Sequence, residues 1–576
     1  MNRLVVFLSA LVLCACTSKE QPATAPLHSE FKTEYIQPVC IVQATGSVTN
    51  ADHLLKPYAG QVSTSEPEAV NFRKGGSVLI DFGRELQGGI EITRSIAGSH
   101  KAARFRLCLG ESVSEAMSNV DAEGTTATND HSARDIDISV PWLGTATYGN
   151  SGFRFARLDL LDDDGENVGL VAVRAVSRQR DIPVSGSFRC SNDRLNQIWQ
   201  TGAYTVHLCM QDYLWDGIKR DRLVWMGDMH PEVMTLNTVF GNQDIVEKSL
   251  DYVRDNTPAD EWMNGICSYS LWWIILQQHL YQWYGNKAYL LEQQDYLTAL
   301  LHKVIDCTDG NREAYREGRF IDWPSADQPD VIHAGLQALT VRALQAGADM
   351  AGWLDDEALQ EACSEKAQQL LTYTPDAAGN SQAAALMALQ GMMSADEAAR
   401  IIIDNGPERF TSFMGYYLLE ALALNGNYEE ALRLISDYWG SMIDLGATTF
   451  WEDFNYEDGK KAGCIDKMPA DSLFDIHGDG GAYCYVGLRH SFCHGWASGP
   501  TAWLSRHILG IEPVGIGFSE VRINPHLGNL DWAEGTFPTP YGLITVKHTK
   551  RPDGTINSQV TLPKGIKRKK LVEKVL

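Results

Sequence analysis

The sequence predicts three successive units: an N-terminal β-sandwich, an (α/α)6 barrel and a small C-terminal β-sandwich. Three observations carry this. Short alternating runs between glycine-rich turns fill residues 33–185, apolar residues at helical spacing take over across 186–515, and alternation returns over 516–576. At 576 residues the chain exceeds one ordinary domain.

The first unit reads as strands at VLIDFG (78–83), GGIEIT (88–93), ARFRLCLG (103–110), IDISVPW (136–142) and FRFARLDLL (153–161). Several short strands at this spacing suggest a sandwich. In the second unit, segments such as SLWWIILQQHLYQWYG and DVIHAGLQALTVRALQAGADMAGW carry the helical period. Loops rich in Asp, Gly and aromatics separate them, and no fixed-length repeat of the solenoid kind is present. Antiparallel helices with such loops at one end suggest a toroid, with a compact bundle as the alternative. VRINP, GLITVKHT and SQVTLP then close the chain as strands.

Residues 1–16, MNRLVVFLSALVLCAC, combine a charged start, an apolar core and small residues before cysteine. That is a secretory signal too short for a comfortable membrane span. Leu13-Cys14-Ala15-Cys16 resembles a bacterial lipobox, which would make Cys16 the lipidated first residue of an exported, membrane-anchored protein. Residues 17–32 read as a flexible tether. The ten later cysteines show no CxxC pairing, so buried free thiols are the expectation.

A net charge of −24 excludes nucleic acid and anionic lipid as partners, since phosphates would be repelled. Fifteen tryptophans and 21 tyrosines are generous; core packing accounts for such residues, and flat sugar-binding walls use them too.

The densest cluster is WDGIKRDRLVWMGD (215–228). Asp221, Trp225, Asp228 and Glu232 fall at i, i+4, i+7 and i+11, which predicts one helical face. Asp216 precedes that face, and Arg220 can reach a carboxylate or a hydroxyl. Carboxylates converging beside tryptophan suit glycosidic cleavage, where one must stay protonated to serve the leaving oxygen. An ion-paired helix start explains the stretch equally well. Recurrence tips the balance. Trp451 and Glu452-Asp453 recur in GATTFWEDF, His494 and Trp496 in HSFCHGWASGP, and Asp322-Trp323 in FIDWPS. Acid beside tryptophan in separated loop-to-helix segments points to a shared pocket. At least one of Trp272 and Trp273 belongs to the core.

With these motifs the chain resembles the α-L-rhamnosidases of glycoside hydrolase family 78. The 215–228 stretch is similar to the family's Asp-Cys-Pro-x-Arg-Glu-Arg-x-x-Trp-x-Gly-Asp motif, and GATTFWEDF to its Gly-Ala-Thr-Thr-x-Trp-Glu segment. SFCHGWASGPTAWL is similar to its terminal Ser-Leu-x-His segment, and DFGRELQGGI with GESVSE to its β-domain. The resemblance implies inverting hydrolysis of terminal α-L-rhamnosides. It places Asp221 as general acid and Glu452 as general base. Asp216, Arg220, Trp225, Asp228 and His494 become sugar contacts, with Trp451, Trp323 and Tyr269 as further pocket residues. Aspartate stands at 221 where the commonest family residue is glutamate, and Gly-Ile-Lys replaces Cys-Pro-x. The partner implied is a carbohydrate, with the lipid anchor as the only tie to a membrane. No cofactor and no metal is expected, and no EF-hand-like spacing supports a structural calcium. Rival readings are the same barrel on another sugar such as an α-L-fucoside, a glycan-binding lipoprotein without catalysis, and a lyase.

Overall fold

The computed structural model describes residues 30–569 except 63, 65–68 and 484. The signal segment, Cys16 and residues 17–29 lie outside the described residues. The last two residues of the expected tether, Phe31 and Lys32, belong to the first strand.

Nine strands build the N-terminal unit: β1 (Phe31–Ile36), β2 (Cys40–Thr45), β3 (Val48–Thr49), β4 (Val70–Phe72), β5 (Ser77–Gly98), β6 (Ala103–Gly110), β7 (Asp135–Val140), β8 (Thr145–Leu160) and β9 (Val168–Arg180). They form one hydrogen-bonded network, ordered β3-β4-β9-β5-β8-β6-β7, with β1 on β9 and β2 on β5. The 22-residue β5 explains how one network wraps a core. Its start pairs with β2 and the end of β8, and after a register break between Asp81 and Leu86 it pairs with the start of β8 and with β9. Such a break bends a strand. Both halves bury apolar residues in a single cluster that includes Val78, Ile80, Ile90, Ile92, Phe105 and Phe153. A short helix α1 (Val113–Met117) follows β6, its Ser112 hydroxyl accepting the Glu115 N–H.

A strand β10 (Ser187–Cys190) opens the next unit, followed by α2 (Asp193–Cys209), α3 (Met229–Val239), α4 (Asp244–Asn256), α5 (Cys267–Tyr284) and α6 (Lys287–Asp306). After the hairpin β11 (Thr308–Asp309) and β12 (Arg312–Glu313) come α7 (Pro329–Trp353), α8 (Glu357–Leu370), α9 (Ser381–Leu389), α10 (Ala395–Asn405), α11 (Gly415–Leu424), α12 (Tyr428–Asp444), α13 (Tyr456–Gly459) and α14 (Gly499–Trp503). Helices α3, α5, α7, α9, α11 and α14 are buried on nearly every side, as apolar residues all round a helix demand. They pack α5 on α7, α7 on α9, α9 on α11, α11 on α14 and α14 on α3. His230 of α3 closes the ring by lying 4.8 Å from the ring of Trp272 in α5. Helices such as α4 and α10 bury a single stripe and form the outer layer. This is the toroid rather than the compact bundle. Trp272 and Trp273 are both core, and Trp272 stacks on Tyr417 of α11.

Strands β13 (Ile511–Pro513), β14 (Glu520–Ile523), β15 (Trp532–Thr539), β16 (Gly542–Lys550), β17 (Ile556–Thr561) and β18 (Lys567–Arg568) end the described chain. β10 is added to this closing unit, in a sheet ordered β10-β15-β16-β17. The nine described cysteines are free thiols; Cys40 is exposed, Cys307 and Cys464 are half-buried, and the others are buried.

Candidate active site

The predicted helical face over 221–232 does not form. Residues 215–228 run as an irregular loop and α3 starts at Met229. Asp221 and Arg222 both take left-handed backbone, with φ of 45° and 57°, and two such residues end any right-handed helix. Strain of this kind is kept only where surroundings impose it. Here, Asp216 Oδ1 accepts the Leu223 N–H at 2.9 Å, and Gly217 forms a β-bridge with His494. From the α4–α5 connection, Asn264 accepts the Met226 N–H at 3.0 Å and donates to the Val224 carbonyl at 3.1 Å.

The loop gathers the predicted side chains without helical spacing. Trp225 Nε1 donates to Asp221 Oδ2 at 2.8 Å, and Arg220 Nη1 donates to Asp221 Oδ1 at 2.9 Å. The other end of the same guanidinium, Nη2, donates to Glu452 Oε1 at 2.8 Å. One buried arginine thus joins the two carboxylates that the sequence assigns as acid and base. Asp228 stands just before α3 and accepts the Tyr269 hydroxyl at 3.1 Å. Gly227 is required there, because a Cβ would lie 2.2 Å from the Tyr269 ring.

Glu452 is held on both sides by Ser491, whose carbonyl accepts the Glu452 N–H and whose N–H donates to Oε2, each at 3.0 Å. It lines a cavity of about 350 Å³ together with Asp322, Trp323, Thr411, Tyr485 and Trp496. Trp323, 37% exposed, lines it with an open aromatic ring. Asp221 meets this cavity through Tyr485, whose hydroxyl donates to Oδ1 at 3.3 Å while its ring covers Arg220. Trp451 is a correction. It is 1% exposed and stacks on Phe492, so it packs behind Glu452 rather than facing a ligand. Trp496 takes the cavity-facing place, donating from Nε1 to the Glu452 carbonyl at 2.9 Å.

The charges divide sharply. Burial alone would raise the Glu452 carboxyl, but Arg220, His494, His490 and the Ser491 N–H outweigh it and bring it down to about 2. Glu452 is therefore held as the carboxylate. Burial raises Asp322 to about 7 against hydrogen bonds from Thr411, the Trp323 N–H and Gln382. Burial and the Glu452 charge lift Asp453 to about 6. His494, whose ring lies 4.4 Å from that of Trp496 but does not itself line the cavity, has its Nε2 3.5 Å from Asp216 Oδ2 and 3.8 Å from Asp228 Oδ2. Burial opposes its charge, yet Asp216, Glu452 and Asp228 raise His494 to about 9. Burial also raises Asp216, and Asp228 and Glu232 still further.

The sequence reading missed a second layer. Lys219 is 5% exposed, and its ammonium lies 3.1 Å from Glu111, 3.2 Å from Glu115, 3.0 Å from the Leu488 carbonyl and 2.5 Å from that of His490. Glu111, Glu115 and His477 converge closely enough to suit a metal ion, but the lysine already supplies the positive charge at their centre. Glu111 in turn accepts the Phe492 N–H at 2.6 Å and the Ser491 hydroxyl at 3.3 Å. The N-terminal unit thereby grips the segment that holds Glu452. The available signal was the Glu111/Glu115 pair around α1 and a lysine beside two arginines and three aspartates in 215–228.

Two carboxylates joined by one arginine, with tryptophans alongside, thus sit beside a cavity in the loops of a helical toroid. Residues 183–508, more than half of the chain, match the bacterial alpha-L-rhamnosidase 6 hairpin glycosidase domain, and residues 510–570 match the bacterial alpha-L-rhamnosidase C-terminal domain. The chain therefore belongs to the bacterial alpha-L-rhamnosidase family of six-hairpin glycosidases. It is 25% identical over 542 residues to an alpha-L-rhamnosidase of Alteromonas sp. (strain LOR), covering 84% of this chain but 55% of that relative. Its fold is similar to the family 78 rhamnosidase of Bacillus sp. GL1, with a TM-score of 0.71, 21% identity, and coverage of 88% of this chain and 55% of that one. It is also similar to a rhamnosidase from Klebsiella oxytoca with rhamnose bound, at a TM-score of 0.66 and 20% identity over 83% and 96% of the two chains.

Proposed function

We propose that this protein is an inverting glycosidase that releases terminal α-L-rhamnose from glycans or glycosides. The observation that carries the reading is the Asp221–Arg220–Glu452 bridge beside the Trp323-lined cavity. Asp221 gives a proton to the leaving oxygen as the glycosidic C–O bond breaks. Glu452 takes a proton from the water whose oxygen bonds to the anomeric carbon from the opposite face. Before sugar enters, both Asp221 oxygens accept hydrogen bonds, from Arg220, Trp225 and Tyr485. His494, Asp216 and Asp228 form the polar floor for ring hydroxyls, and Trp225 and Trp323 the walls.

Aryl α-L-rhamnopyranoside, with the product anomer followed by NMR, tests this. Asp221→Asn and Glu452→Gln each lower turnover by roughly 10²–10⁴-fold while the chain still folds, Glu452→Gln also lowering Tm because it removes a charged partner of the buried Arg220. Full activity in either variant, or a product of retained configuration, overturns the assignment. We further propose export with lipidation at Cys16; Cys16→Ser then releases the protein from the membrane fraction, and an unchanged membrane association refutes it.

A further inference from the structure

The loop between α1 and β7 belongs to the N-terminal unit and docks against the loops of the active site. Its Ser132 hydroxyl donates to the Lys219 carbonyl at 2.9 Å, and its Thr126 hydroxyl accepts the Leu488 N–H at 2.8 Å. Between these anchors His131 meets the residue assigned as acid, its Nε2 lying 3.5 Å from Asp221 Oδ1. The same nitrogen lies 3.5 Å from Asp130 Oδ2. Asp130 is already engaged by Arg489, which donates from Nε at 2.9 Å and from Nη2 at 2.5 Å, and by the Thr128 hydroxyl. Asp130 therefore steadies the imidazole, and Asp221 is the carboxylate left to exchange a proton with it.

The other contacts of Asp221 make such a partner necessary. Arg220 and Trp225 have donors only, so both favour the carboxylate, and the Tyr485 hydroxyl donates to the same oxygen as Arg220. An acid in that setting needs a proton from elsewhere. Imidazole carries an exchangeable proton near neutral pH and accepts a hydrogen bond once that proton has gone. The His131 side chain is 27% exposed against 8% for Asp221, so it keeps contact with water.

We propose that His131 is a positioning residue that stores the acid proton for Asp221. As the glycosidic bond breaks, the Nε2–H bond of the imidazolium opens, its electron pair stays on nitrogen, and an O–H bond forms on Asp221. Asp221 passes a proton to the leaving oxygen, which keeps the electrons of the C–O bond, and a hydronium ion from solvent restores the imidazolium. The inference rests on the assignment of Asp221 as acid above, and residue 131 lies outside the 183–508 stretch that matches the family domain.

The full chain, His131→Ala, His131→Gln and Asp221→Asn are compared on phenyl and dinitrophenyl α-L-rhamnopyranoside, the second of which has a leaving group that departs with little protonation. Both His131 variants lower kcat/KM for the phenyl glycoside at least about ten-fold and for the dinitrophenyl glycoside less than about three-fold. Added imidazole recovers part of the phenyl rate in His131→Ala and none in Asp221→Asn. An equal loss on the two glycosides, no loss, or a selective loss that imidazole does not relieve overturns the proposal and leaves the rhamnosidase reading intact. An Asp221→Asn chain that loses no more on the phenyl than on the dinitrophenyl glycoside overturns the acid assignment and this inference with it.

Discussion

Lys219→Met removes one buried cation and asks what it holds. The ammonium answers Glu111 and Glu115 and caps two carbonyls of the segment that carries His490. Removing one member of a buried ion pair costs about 3–5 kcal/mol. The lower end applies, because Arg134 still lies 3.4 Å from Glu115, and Glu111, already lifted to about 7 by burial despite Lys219, takes up a proton instead. With about 2.1 cal/mol/K of unfolding entropy per residue across the barrel, 3 kcal/mol lowers Tm by about 4 °C. Glu111 also orients Ser491 and Phe492, and Ser491 holds Glu452. Turnover therefore falls roughly ten- to hundred-fold with KM little changed. Calorimetry and steady-state kinetics on the parent, Lys219→Met and Lys219→Met/Glu111→Gln check this, the double variant regaining part of the lost Tm. A single variant with parental Tm and kcat refutes the reasoning.

Three further outcomes follow from the geometry. Glu452, depressed to about 2, contributes stability present above its ordinary 4.5 and lost as pH falls through about 2. His494, raised to about 9, contributes stability fully present below 6.5 and lost as pH rises through about 9, a difference on the order of 3 kcal/mol. Melting as a function of pH shows an alkaline slope in the parent that His494→Gln lacks; equal slopes would exclude it. Trp323→Ala raises KM with Tm unchanged, whereas Trp451→Ala costs about 3–5 kcal/mol in denaturant titrations, and the reverse pattern would return Trp451 to the pocket. Gly227→Ala drives a methyl into the Tyr269 ring and costs roughly 1–3 kcal/mol in the same titrations, and parental stability would refute it.

The order of strands, helices and strands was legible because hydrophobic period is a local property. Asp216, Arg220, Trp225, Asp228, Glu452 and His494 were legible because their motifs set unusual side chains side by side. The backbone beneath them was not. Spacing of i, i+4 and i+7 is as compatible with a loop as with a helix, and Asp221 and Arg222 are fixed in left-handed conformation by partners as remote as His494. Trp451 misled for the same reason. Adjacency to Glu452 fixes neither side of the chain, and Phe492 captures the ring. Lys219 escaped notice because its role appears only when Glu111, His477 and His490 arrive from distant segments.

The strand β10, which precedes the first barrel helix and joins the closing sheet, imposes an order in time. Ser187 waits for Thr536, 349 residues later, before its edge is paired. At about 5–20 residues per second, that wait during synthesis lasts roughly 20–70 s. Until then Phe188 and Cys190, both buried in the finished protein, lack their β15 partners Gly535 and Ala533. The helices of the ring are all synthesised before β15, so the ring can close first and the strand that leads into it is fixed last.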